Sequence, residues 1–236
     1  MTTSEGTPYR HAVFACPPKG SVLAALAARW LGRDAFTGEG KPQPDVEGIE
    51  ALTAFPRRYG FHATVVAPFR PAAGVGPAEV DAALDTFCTD EAPLPLPLTV
   101  GRLGAFFALV AAEPSQALDA MAARAVRHFH HLRAAPTPDE TAKRRPERLS
   151  PRQRELLRDW HYPYVLDEFR YHMTLTGPVP DSDASRVREA IEAHFPTEVL
   201  RSFSLDALAR YEEPTPSSPF QVAHRVPFTP PATSVR

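Results

Sequence analysis

Cysteine is scarce: the 236-residue chain carries two, Cys16 and Cys88. Two cysteines make no disulfide framework, and neither stands in a Cys-x-x-Cys pair, which argues against a zinc site built on thiolates. Both are expected to be reduced, in a cytoplasmic protein. Lysine is scarce too. Lys19, Lys41 and Lys143 are the only ones, so the positive charge is nearly all arginine. Arginine suits bidentate contacts to phosphate, although genome base composition produces the same bias. No run of about 18 apolar residues occurs, so no transmembrane helix and no membrane partner are expected. The opening "MTTSEGTPYRH" lacks a basic stretch leading into an apolar one, so no secretory signal is expected. Excess positive charge is also missing, since the formal net charge is −2. A protein that lives by non-specific contacts to phosphate backbones is usually basic, which argues against a general DNA or RNA binder. It leaves room for an enzyme that grips one phosphate.

What is present is the composition of a globular protein, 43% hydrophobic and 23% charged, long enough for one sizeable core or two small lobes. Proline is abundant, at 27 residues. It clusters at 41–44, 93–97, 136–151 and 214–231, stretches that read as loops, edge-strand flanks and a loose C-terminal tail. "HAVFACPP" (11–18) reads as a strand stopped by two prolines, followed by a helix that Ser21 caps. Residues 32–45 read as a loop. A helix over 77–88, two strands within 94–112, and a helix over 115–133 follow. In the last of these, Leu118, Met121, Ala122, Ala125, Phe129 and Leu132 form one apolar stripe. A basic, proline-punctuated stretch at 136–154 reads as a linker or a lid, and a short helix is expected near 151–160. The remainder reads as a strand or hairpin over 164–179, a helix over 183–195 capped by Asp183, and strands over 202–213 and 220–228. Strands beside helices without a β-α-β rhythm predict an α+β fold with antiparallel sheets.

One pattern recurs. In "RRYGFHATVVAPF" (57–69) and "FRYHMTLTGPV" (169–179), an aromatic precedes a histidine, a threonine stands two residues after it, and a proline six after it. Phe61 matches Tyr171, His62 matches His172, Thr64 matches Thr174, and Pro68 matches Pro178. A spacing of 110 residues fits two copies of one structural unit. On a strand, residues two apart share a face. His62 and Thr64 then project together, as do Arg170, His172 and Thr174, and the same alternation puts Val66 on the face of His62. If the copies pair, two imidazoles and two hydroxyls converge. A cyclic phosphodiester needs a base for the attacking water and an acid for the departing alkoxide, and histidine fills either role near neutrality. Threonine hydroxyls and an arginine then suit the non-bridging oxygens. No carboxylate belongs to the set, so neither a metal nor another cofactor is expected. The bland alternative is two satisfied core histidines with threonines that merely favour strands.

These stretches, with "RWLGRDAFTGE" (29–39), "LSPRQRELL" (149–157) and "EFRYHMTLTGPVP" (168–180), resemble the two-histidine (2H) phosphoesterase superfamily. The likeness is to its bacterial branch associated with phosphonate-utilisation operons. The resemblance implies a single duplicated domain over 1–236, with two antiparallel sheets around a central cleft and helices outside. Its N-terminal lobe would span about 9–112 and its C-terminal lobe about 160–230. It also implies phosphoester chemistry carried by His62, Thr64, His172 and Thr174. The ligand is then a small phosphorylated metabolite, such as a phosphorylated sugar. RNA ends bearing a 2′,3′-cyclic phosphate are the alternative, and a non-catalytic phosphometabolite-binding module is the third reading. Where the branch often has a lysine two residues past the first threonine, this chain has Val66.

Other residues have two readings each. Arg57, Arg58 and Tyr59 line the rim of the cleft, or they are a solvated pair and an aromatic ahead of Gly60. "RHFHH" (127–131) is a solvated helix face or a metal-binding spacing. Trp160, Tyr162 and Tyr164 stack on a base or sugar, or pack against the core. The 136–154 stretch is a linker, a lid with arginines reaching a substrate, or an RNA-contacting patch.

Overall fold

The computed structural model describes residues 8–229; the ends of the chain, including the last part of the expected C-terminal tail, lie outside them. The fold is a mixed α/β arrangement around a large antiparallel sheet. Chain order is β1 (Arg10–Ala15), α1 (Val22–Leu31), α2 (Ile49–Tyr59), β2 (Ala63–Phe69), α3 (Pro77–Thr89), β3 (Leu94–Pro95), β4 (Leu98–Leu103) and β5 (Phe106–Ala111). Then come α4 (Gln116–His128), α5 (Pro138–Ala142), α6 (Pro151–Trp160), β6 (His172–Thr174), α7 (Ala184–His194), α8 (Thr197–Arg201), β7 (Ser204–Leu205), β8 (Ala207–Glu213) and β9 (Gln221–Pro227). No helix among the described residues is long and apolar enough to cross a membrane.

Local chemistry explains most of these boundaries. Ser21 and Ser115 accept hydrogen bonds from Ala24 and Leu118 backbone N–H and so start α1 and α4. Gly32 ends α1 at φ 74°, returning its N–H to the carbonyls of Ala28 and Arg29. Ser150 and Gln153 form a reciprocal cap with Pro151 at the first helical position of α6. Asp183, in contrast, makes no capping bond at α7; a 3₁₀ turn over Asp181–Asp183 leads into that helix instead. The basic stretch is more ordered than a linker, because Thr137 and Glu140 cap α5 reciprocally.

Helix α2 runs against its sequence. It has no side-chain cap at Gly48, and Pro56 sits inside it. Proline cannot donate to the carbonyl four residues back. That orphaned carbonyl, on Leu52, instead accepts from the Gly177 N–H, just past the second H-x-T.

The main sheet has seven strands in the order β4-β5-β6-β2-β1-β8-β9, and β3 pairs with β7 in a separate two-stranded ribbon. The expected pair of sheets around a cleft is therefore corrected to one continuous sheet. Its order interleaves the two ends of the chain. Strands β8 and β9 sit beside β1, while β4 and β5 sit beside β6. One face carries the main core, where Val13, Ala63, Val65, Leu109, Met173 and Leu175 pack with Trp30, Leu84, Met121 and Phe129. The other face carries a smaller cluster of Ala12, Phe14, Cys16, Ala209, Tyr211 and Phe220. Both cysteines are free and buried.

Candidate active site

The two H-x-T segments meet at the middle of the sheet. Strands β2 and β6 pair antiparallel, with Ala63 opposite Met173. Both of those residues are fully buried in the main core. Antiparallel register around that pair sets His62 against Thr174 and Thr64 against His172, on the opposite face. All four of these side chains are half-buried, in alternation with buried neighbours.

The histidines are held by the same device. His62 Nδ1 lies 2.8 Å from the Gly60 carbonyl, and His172 Nδ1 lies 2.7 Å from the Arg170 carbonyl. A carbonyl only accepts, so each Nδ1 carries the proton and each Nε2 is left to accept. The Thr64 hydroxyl, 3.2 Å from His62 Nε2, occupies that acceptor. The His62 ring stacks on Phe14 at 3.8 Å and 22°, and the His172 ring lies 5.9 Å from Phe106. Burial pushes the His62 pKa down to about 4, against the pull of the Gly60 carbonyl, and His172 lowers it further. Burial also lowers His172, partly opposed by the Arg170 carbonyl. Burial thus favours the neutral form of both rings, and a charge on His172 would be felt at His62.

The neighbouring backbone is pinned from the core. The Tyr211 hydroxyl donates to the Phe61 carbonyl at 3.1 Å, and Trp30 Nε1 donates to the Leu175 carbonyl at 3.0 Å. One side chain expected on this face is not there. The β1–β2 register slips between Phe14↔Thr64 and Val13↔Val66, so an extra residue is accommodated and the alternation flips. Val66 consequently points into the main core, fully buried.

The remaining sequence candidates divide. Arg170 contributes its carbonyl, while its side chain is exposed and forms no hydrogen bond among the described residues. Arg57 is not a rim residue. Its guanidinium turns inward to the Leu31 carbonyl at 2.7 Å, Gln43 Oε1 at 2.8 Å and Thr53 Oγ1 at 3.0 Å. Arg58 pairs with Glu213 and lies 5.5 Å over the Tyr59 ring. Tyr59 stacks on Phe220 at 5.2 Å, with its ring 6.1 Å from that of His62. Tyr164 is exposed and meets Tyr162 edge-on at 5.7 Å. In the histidine-rich helix end, His128 Nε2 contacts the Ala83 carbonyl at 2.9 Å, and His130 packs against Trp160 and His161. Among the described residues, no group of three or more His, Cys, Asp and Glu side chains gathers to hold a metal.

Sequence reasoning missed Phe14 altogether, and of one pocket it offered only Arg58, Tyr59 and the basic 136–154 stretch. Phe14, the base on which His62 rests, is one apolar residue in an apolar strand and carries no local signal. Tyr59, whose ring is 6.1 Å from that of His62, also lines a pocket of about 380 Å³ that neither histidine lines and whose walls include Arg10, Arg58, Arg70, Arg133, Lys143 and Arg144. Glu213, fully buried, anchors Arg10 at 2.5 Å and also Arg58.

Fold and site together define an α+β protein with two paired histidine–threonine strands at the centre of one antiparallel sheet. The chain belongs to the family described as "Protein of unknown function (DUF1045)", whose model matches residues 64–221. It is 36% identical over 230 residues to "Ribose 1,5-bisphosphate phosphokinase PhnN" of Janthinobacterium sp. (strain Marseille), covering 93% of this chain and 51% of that protein. It is 33% identical over 223 residues to the protein of the same name from Laribacter hongkongensis (strain HLHK9), covering 92% and 51%. The chain thus spans about half the length of the curated relatives it matches. A solved structure described as "Crystal structure of phosphoesterase" aligns over 94% of this chain and 99% of its own, at 11% identity and a TM-score of 0.41.

Proposed function

We propose that this chain is a metal-independent phosphoesterase of the two-histidine type that hydrolyses a small cyclic phosphodiester. One observation carries the reading: the Ala63–Met173 register, with both histidines fixed through Nδ1 to the carbonyl two residues earlier. This leaves two Nε2 atoms and two hydroxyls on one face, a donor set without a carboxylate. In the reaction, the Nε2 of one neutral histidine takes a proton from water as the water oxygen bonds to phosphorus. The ester P–O bond on the far side breaks, and the other histidine, protonated, gives its proton to the departing alkoxide. The product is a phosphate monoester with a free hydroxyl. The bound phosphodiester anion raises the pKa of the rings beside it, which lets a histidine that is neutral in the free protein serve as the acid. The Thr64 and Thr174 hydroxyls donate to the non-bridging oxygens. The pairing of matched strands also supports the duplicated-unit reading.

A phosphorylated sugar is the substrate favoured, in keeping with the sugar bisphosphate in the relatives' name. The kinase in that name is said of proteins about twice as long. The sequence here has no Gly-x-x-x-x-Gly-Lys-Ser/Thr phosphate loop, so kinase activity is not carried over. The test is a panel of cyclic phosphates assayed with a chelator present. Hydrolysis is expected at full rate in chelator. The proposal is wrong if single His62→Ala and His172→Ala variants keep the wild-type rate.

A further inference from the structure

The cations of the pocket that Tyr59 lines are unevenly matched. Among the described residues Glu140 is the only carboxylate on its walls, and it is taken by Arg70 through two bonds of 3.1 Å. Arg10 and Arg58 share the buried Glu213. Arg133, Lys143 and Arg144 meet no carboxylate among the described residues. Arg133 is only 8% exposed. Its Nη1 donates to the Trp160 carbonyl at 2.9 Å, while its Nε is buried without a partner. Burial, and then the charge of Arg144, pull its pKa down to about 10. A buried cation beside a second cation, with no anion, is an expensive arrangement that an incoming anion relieves.

Two further observations point the same way. Arg58 Nε and His161 Nδ1, also on these walls, are buried and unpartnered. His161 at φ 59° and Ser217 at φ 70° line the pocket too, and they are two of the four non-glycine residues among those described that hold a left-handed backbone. Strain of this kind persists where the surroundings fix it, and it clusters at binding sites. The roof is the basic stretch itself, since Glu140, Thr141, Lys143 and Arg144 all reach the cavity. Tyr59 is the shared wall: its ring lies 6.1 Å from His62, and it lines the pocket as well.

We propose that this pocket binds a phosphate monoester group between Arg133, Lys143 and Arg144, as the non-reacting end of the same small substrate whose cyclic ester lies at the histidines. The substrate role rests on the reading of His62 and His172 given above; the anion site rests on the pocket alone. A volume of about 380 Å³ suits a sugar-sized phosphate ester.

The experiment is calorimetric titration of the intact chain with inorganic phosphate. Wild type is expected to bind it, and so is the His62→Ala/His172→Ala double variant. Lys143→Ala/Arg144→Ala is expected to weaken binding about tenfold or more, since each charged hydrogen bond lost counts for roughly that much. Because Lys143 is exposed and Arg144 only half-buried, the variant folds; Arg144→Gln is a milder second variant. With a cyclic diester that bears a second phosphate, the same substitutions raise KM more than they lower kcat. No phosphate binding by wild type, or binding lost in the histidine variant and kept in the cation variant, overturns the proposal. So does displacement of phosphate by an RNA oligonucleotide with steep salt dependence, which assigns the patch to a nucleic-acid path. A chain that binds phosphate as expected yet turns over no cyclic diester overturns the histidine reading and the substrate role, and leaves the anion site standing.

Discussion

His62 stands at the head of a seven-residue strand flanked on both sides, whereas His172 begins a three-residue strand between β5 and β2. The first ring is stacked flat on Phe14, and its Nε2 already faces the Thr64 hydroxyl. The second has Phe106 at 5.9 Å, and no bond from Thr174 reaches it among the described residues. The residue that supplies the anchoring carbonyl differs too: Gly60 at φ 73° in the first copy, an exposed Arg170 in the second. The same two side chains and the same Nδ1 anchor are thus kept by unlike supports. The geometry at the imidazole is what the copies share, and the surrounding protein adjusts each ring's charge separately.

The largest effect should come from the rings themselves. His62→Ala and His172→Ala are each expected to lower kcat on a cyclic phosphate by about 10²–10⁴. If the two act as one unit, the double variant loses little more than either single one, because residues that act together are not additive. Losses that multiply in full would mean that the two copies work independently. Single-turnover rates on purified variants decide it.

Acid should separate the copies next. His62 and the fully buried His11, both of whose ring nitrogens lack partners, are held at about 4, below the ordinary 6.5. A folded pKa below the unfolded one means that the fold favours the neutral ring. That contribution to stability is whole above about pH 6.5 and is lost as pH falls towards 4. Urea midpoints should therefore drop across that window, and His11→Leu should flatten the drop. In an imidazole NMR titration, His62 should titrate near pH 4, and added inorganic phosphate should raise both His62 and His172 if the anion reaches the rings. A His62 that titrates at 6.5 would remove the asymmetry between the copies.

Gly60→Ala is a narrower probe. At φ 73° and ψ 174° the backbone lies where only glycine is comfortable, and a Cβ there would meet the Ala35 Cβ at 2.6 Å. Strain of about 1–3 kcal/mol is expected, before the clash is counted. Chemical denaturation should show it, with a further fall in kcat as the carbonyl that orients His62 moves.

The H-x-T pairs were legible because a strand repeats every two residues, so histidine and threonine at that spacing declare a shared face. Helix α1 was legible through Ser21, α3 through the proline at its start, and α4 through its apolar stripe. What was not legible depends on distant partners. Helix α2 contains Pro56 and becomes feasible only when Gly177, far along the chain, takes the Leu52 carbonyl. The slip that turns Val66 into the core depends on the pairing with β1. The merging of two expected sheets into one depends on a single registered pair, Ala63 with Met173. No local rule announces the buried Glu213 that gathers Arg10 and Arg58.

The smallest effect is expected at the counterpart of Gly60. Arg170 reads from the sequence as a phosphate contact two residues ahead of His172, yet its side chain is exposed and only its carbonyl touches the ring. Arg170→Ala keeps that carbonyl. It should change stability by less than about 0.5 kcal/mol, as substitutions at exposed positions usually do. It should also leave KM for the cyclic phosphate within about twofold, since a guanidinium without a fixed position adds little to a bound anion. A tenfold rise in KM would mean that the side chain swings onto the substrate once it is bound. The second copy would then supply a cation that the first, with glycine in the same place, cannot.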